Sequence, residues 1–151
     1  FNMSSLIYPD DFIADIFKRV KTIAMVGASP KPHRASHRVM QFLQERGYRV
    51  IPVNTRKNDD FIHGEKVYNS LADIPDDFQM VDIFRNIDGA IDITDEALAL
   101  LPHKSIDTIW MQLEIQSDAA AARTKAGGLN MGMDRCPAIE IRRLVQSGHL
   151  T

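Results

Sequence analysis

The sequence predicts an α/β fold: a Rossmann-like three-layer sandwich with a five-stranded, mostly parallel sheet. Three observations carry that prediction. Strand-like apolar runs alternate with helix-like segments five times along the chain. Runs such as IAMVG, VDIF and TIWMQL are nearly continuous in apolar residues, the pattern of strands covered by helices on both faces. The 151 residues suit one domain with a sizeable core, and no repeat, low-complexity tract or linker divides them.

Each element has its own local reason. Asp10 or Asp11 is expected to cap a first helix ending near Val20, with Phe12, Ile13, Ile16, Phe17 and Val20 on one face. Residues 23–27 read as the first strand. A loop over 28–34 leads to a helix from about Ala35 to Arg46, ended by Gly47. Residues 48–53 form the second strand, with Pro52 near its end because proline donates no ladder hydrogen bond. A turn over 61–64 and one helical turn over 70–74 follow. The third strand covers 80–84, and a helix runs from about Asp88 to Leu101. The fourth strand covers 107–113. An alanine-rich helix over 118–126 ends at Gly127-Gly128, a short fifth strand covers 129–133, and a last helix runs from about Ala138 to Val145. Phe1 and Asn2 precede Met3, the expected natural start, so the single domain is placed at 3–151.

The bulk properties exclude several function classes. A net charge of −2 gives no global attraction to nucleic acid or to a membrane surface, and Arg142-Arg143 reads as a solvated helix face. No apolar run approaches the roughly 20 residues that cross a bilayer. The single cysteine, Cys136, forbids an internal disulfide and fits a cytoplasmic, reducing setting.

The segment 22–38, TIAMVGASPKPHRASHR, is the expected binding element. Strand, glycine turn and helix start together present backbone N–H groups and the positive end of a helix dipole. Lys31, Arg34 and Arg38 add charge, and Ser29 and Ser36 add hydroxyls. A diphosphate is the expected occupant. The full G-x-G-x-x-G fingerprint is absent, since Gly27 stands alone and Pro30 and Pro32 stiffen the loop. In open α/β sheets, ligands lie beyond the carboxyl ends of the strands. Four of the five expected strand ends carry a cation, and Asn54, Arg56 and Lys57 follow the second. An NAD site has a carboxylate there for the ribose hydroxyls. Two cations suit a phosphate on that ribose instead, which leaves NADP or coenzyme A.

VGASPKPHRASHRV, YRVIPVN, VDIFR, WMQLE and MDRCP, in this order, resemble the small stand-alone CoA-binding domain proteins. These are similar to the CoA-binding domain of the succinyl-CoA synthetase alpha subunit. The resemblance spans about 22–144. It implies that CoA lies over the carboxyl edge of the sheet. Gly27, Ser29 and Lys31 would form the diphosphate loop, with Ser36 at the helix start. Asn54 and Arg56 would lie near the adenosine and its 3′-phosphate. Phe84 and Arg85 would flank the nucleotide and the start of the pantetheine arm, and Met111 and Gln112 would lie along its thiol end. Many members have glycine where this chain has Glu114, and a glycine lets a ligand approach the backbone closely. Many also have proline where Thr55 stands.

No catalytic set is predicted. Cys136 precedes Pro137 and a helix start beside Arg135, a setting that activates thiols, yet no base is evident in sequence. His33 and His37 lie four apart but lack further ligands, so no metal site is expected. Neither a nucleophile elbow nor a triad arrangement is present. The synthetase's phospho-histidine comes from a domain outside this resemblance. Trp110 is expected in the core. The leading expectation is therefore a non-catalytic carrier or regulatory module for CoA or an acyl-CoA. The alternatives are an NADP-dependent oxidoreductase and a CoA-binding subunit that needs a partner chain.

Overall fold

The computed structural model describes residues 7–56 and 60–151; the expectation for Lys57 lies outside the described residues. Helix α1 (Asp10–Arg19) buries Ile13, Ile16 and Phe17. Its N-cap is Pro9, with no side-chain cap, so Asp10 and Asp11 act within the first turn, through the helix dipole. That corrects the expected aspartate cap. Strand β1 (Thr22–Val26) leads to α2 (Ala35–Glu45) and β2 (Arg49–Val53).

The turn expected at 61–64 closes a small hairpin, β3 (Phe61–Ile62) with β4 (Glu65–Lys66). His63 and Gly64 make its two-residue loop with positive φ at both positions, the geometry that suits the twist of paired strands. After a 3-10 turn at Leu71–Asp73 come β5 (Met80–Ile83), α3 (Ile87–Ala99) and β6 (Thr108–Met111). Helix α4 (Asp118–Ala126), β7 (Asn130–Gly132) and α5 (Pro137–Gln146) complete the chain.

The five long-range strands form one sheet in the order β2-β1-β5-β6-β7, and every pairing is parallel. Pro52 sits one residue from the end of β2, as expected, opposite Met25. The site tolerates it because β2 is an edge strand.

Alternation along the strands divides the core in two. Ile23, Met25, Val50, Met80 and Trp110 meet α1, α2 and α5 through Phe17, Met40, Leu43, Ile141 and Leu144. Ala24, Val26, Ile51, Val81, Ile83, Ile109 and Met111 meet the other layer through Leu71, Ile93, Ala97 and Ala120. One ion pair ties α5 to α1, Arg143 to Asp10 at 2.7 Å, and a second within α5 joins Arg143 to Glu140 at 3.1 Å. Arg143 is thus a cross-link as well as a surface residue. Arg142 lies over the Phe42 ring, 4.5 Å from its centroid.

The chain leaves β1 toward β2 on one side and returns to β5 on the other. The carboxyl ends of β1 and β5 therefore diverge into the crevice where ligands of open α/β sheets bind.

Candidate functional site

The crevice is shaped by Gly27. Its φ is +85°, and a Cβ built there would stand 2.3 Å from the Phe84 carbonyl oxygen. No side chain fits between the exits of β1 and β5. Backbone bonds hold this approach: the Phe84 N–H donates to Val26 O at 2.8 Å, and the Gly27 N–H to Val53 O at 2.9 Å.

The loop between β1 and α2 is built from its own polar groups. The Ser36 hydroxyl accepts from the Ser29 N–H at 3.0 Å, and the Ser29 hydroxyl accepts from the Lys31 N–H at 3.1 Å. Asn54, at the exit of β2, donates to the Ala28 carbonyl at 2.8 Å and accepts from the Arg56 N–H at 2.8 Å. Its amide thereby clamps the loop to the neighbouring strand. Helix α2 starts at the end of this loop with Arg34 as its N-cap residue. No side chain caps it, and its first turn holds no acid. Its unsatisfied N–H groups and positive dipole end face the crevice without an internal counter-charge.

A cleft of about 580 Å³ opens here, lined by Gly27, Ser29, Lys31, Arg34, Ser36, Asn54, Arg56, Phe84 and Arg85 among others. A second hollow of about 240 Å³ lies between Asn54, Thr55, Arg56 and Arg85, again beside Gly27. Among the described residues, none of Lys31, Arg34, Arg56 and Arg85 is ion-paired, whereas Arg19, Arg49, Arg123 and Arg143 all are. Arg85 folds against the first turn of α3, and a Cβ at Gly89 would come 3.0 Å from its guanidinium. Gly89 thus makes room for the arginine.

The structure gathers nine of the eleven residues expected at a site into this one cleft. Met111 and Gln112 are not among them. Met111 is fully buried in the core beneath α3 and α4. Gln112 turns into an adjoining groove of about 320 Å³ with Leu113, Cys136 and Ile139. Glu114 lines neither space. It is exposed, has φ +70°, and its N–H donates to the Asp134 carboxylate at 2.6 Å. A left-handed backbone is reason enough for a glycine at this position. Trp110 is fully buried and donates to the Arg135 carbonyl at 2.8 Å.

Sequence reasoning passed over Asp82, which lies within the apolar run VDIF. Its side chain is fully buried on β5 with both carboxylate oxygens unpartnered. Burial pushes its carboxyl well above the usual carboxylate range, because desolvation disfavours the charged form. A lone charge inside a doubly covered strand was the available signal. His37 and His63 also meet, with ring centroids 4.0 Å apart. Burial and the neighbouring His63 lower the pKa of His37. Among the described residues, no group of three or more His, Cys, Asp or Glu side chains could hold a metal ion. No described helix is long and apolar enough to cross a membrane.

Fold and cleft together define the class: a parallel α/β domain with an unneutralised cationic cleft at its topological switch point. More particularly, the chain belongs to the CoA binding domain family, which matches residues 21–142. It is 32% identical over 124 residues to YneT of Bacillus subtilis, a match that covers 82% of this chain and 87% of that protein. A solved structure of a protein from Pyrococcus horikoshii OT3 superposes with a TM-score of 0.83 at 35% identity, over 91% of this chain and 93% of the other. A shorter stretch of 64 residues is 39% identical to the alpha subunit of an ADP-forming acetate–CoA ligase of Pyrococcus furiosus; it covers 40% of this chain and 14% of that subunit. The family resemblance read from the sequence motifs therefore holds, as does the Rossmann-like parallel fold.

Proposed function

We propose that this protein binds coenzyme A or an acyl-CoA in the cationic cleft as a non-catalytic carrier or regulatory module. One observation carries the reading. The uncapped, acid-free start of α2 and the unpaired Arg56 and Arg85 face the same space around Gly27. A diphosphate suits the first feature and a ribose phosphate the second. Membership of the CoA binding domain family supports CoA over other nucleotides that carry both groups. Ser29, Lys31, Arg34 and Ser36 would surround the diphosphate. Asn54, Arg56 and Arg85 would lie at the adenosine end, and Phe84 would flank the nucleotide.

The same pair of arginines suits the 2′-phosphate of NADP, which is the second reading. Calorimetric titration with CoA, 3′-dephospho-CoA and NADP separates the two. The expected result is CoA binding that weakens at least about tenfold without the 3′-phosphate, the equivalent of about 1.4 kcal/mol. Binding of NADP with no response to CoA would overturn the assignment. The similar ligase chain is named as a subunit. Work alongside a partner chain is therefore compatible with the same site, and co-purification tests it.

A further inference from the structure

The groove beside the cleft carries a second chemistry. Ala35, the first residue of α2, lines both spaces, so the groove continues the cleft toward α5. Its lining combines Val39, Phe42, Leu113 and Ile139 with Arg38, Arg142 and two nearly buried groups. One is Gln112, only 8% exposed, whose Oε1 has no hydrogen-bond partner. The other is Cys136, only 7% exposed, at the N-cap of α5. The backbone at this end of α5 is tightly held. Trp110 donates to the carbonyl of Arg135, and the Arg135 guanidinium stacks 5.2 Å from the Tyr8 ring centroid. A slender arm carrying an amide N–H and ending in sulfur matches these groups: an apolar wall, an orphan acceptor and a thiol.

We propose that Cys136 is a thiol–disulfide exchange site for the pantetheine end of CoA, an inference that rests on the binding reading above. The oxidant is CoA disulfide. The Cys136 sulfur attacks one of its two sulfur atoms, and the reagent S–S bond breaks. A Cys136–S–S–CoA bond forms, and one CoA thiolate leaves and takes up the proton that Cys136 gave up. Gln112 accepts from a pantetheine amide and aligns the arm. The chain has a single cysteine, so no second thiol of its own can resolve the adduct. It persists until an external thiol releases it.

The test follows adduct formation by intact mass after mixing the protein with CoA disulfide or with the disulfide of pantetheine, which lacks the nucleotide. CoA disulfide is expected to react at least about tenfold faster, because binding in the cleft raises the local concentration of its sulfur. In the double variant Lys31→Ala/Arg85→Ala the ratio falls toward one. Equal rates for the two disulfides in the wild-type protein would overturn the proposal. No adduct, with normal heat from reduced CoA, would overturn it and leave the binding reading standing. Neither adduct nor heat would overturn both.

Discussion

Helices α2 and α4 both begin at the carboxyl edge of the sheet, and the chain treats their first turns in opposite ways. At α4, the Ser117 hydroxyl accepts from the Ala120 N–H at 3.1 Å, and Asp118 adds negative charge. Helix α3 is similar, with the Asn86 side chain accepting from the Gly89 N–H at 2.8 Å and Asp88 behind it. At α2, an arginine occupies the cap position and no acid follows. Polar groups at helix ends need partners. Where the chain provides them itself, the helix end is complete. The start of α2 instead opens on a cleft ringed by cations, where an anion from outside would complete it. The difference shows that an unfilled requirement in the fold is a more specific pointer to a ligand than a glycine in a loop.

The most severe way to break the contrast is Gly27→Val. Positive φ and the collision with Phe84 act together. Unfolding by urea is expected to show a loss of about 3 kcal/mol or more, with CoA heat abolished. Arg34→Asp sharpens the contrast by giving α2 the cap it lacks. Thermal unfolding should show a gain of about 0.5–1 kcal/mol, while CoA affinity drops at least about tenfold. A drop in stability with affinity intact would mean that the start of α2 does not face the ligand. Ser117→Ala is the reciprocal change: a loss of about 1 kcal/mol in stability with CoA affinity unaltered.

Asp82 gives a fourth test, set on the sheet instead of its edge, where the contrast is between a polar group awaiting a ligand and one no ligand can reach. Its carboxyl titrates higher in the folded chain than in the unfolded one, where an aspartate titrates near about 3.9. The folded state therefore holds the extra proton. This contribution to stability is complete below that pH and is lost as pH rises toward the raised folded value. Asp82→Asn removes the titration. Denaturation curves at pH 5 and pH 8 should show the variant gaining on the wild-type protein at the higher pH. Parallel behaviour of the two would mean that the carboxyl has a partner.

Much of the site could be read from the chain before folding. Gly27, Ser29, Lys31, Arg34 and Ser36 lie within ten residues, so a strand, a turn and a helix start brought them together locally. Arg56 and Arg85 were legible because each follows an apolar strand, and every parallel strand delivers its exit to the same edge. Side-chain direction was harder to read. Met111 and Gln112 are adjacent, and one faces the second core while the other enters the groove. Alternation puts neighbours on opposite sides, but which side holds which depends on the layers that cover them. Asp82 was passed over for a related reason: the acid is visible in the run, but that it lies fully buried with no partner depends on the layers that cover the strand.

The sequence by itself determined the alternation of strands and helices, the cations at the strand exits and the glycine at the first turn. These follow from local patterning, because hydrophobic period and turn chemistry act over a few residues. Tertiary structure alone decided the order β2-β1-β5-β6-β7 and, with it, the crevice between β1 and β5. It also joined Gln112 on the β6 exit to Cys136 at the start of α5. Contacts between residues far apart in the chain depend on how the layers pack against each other, and burying both faces of the sheet at once is a property of the whole chain rather than of any segment.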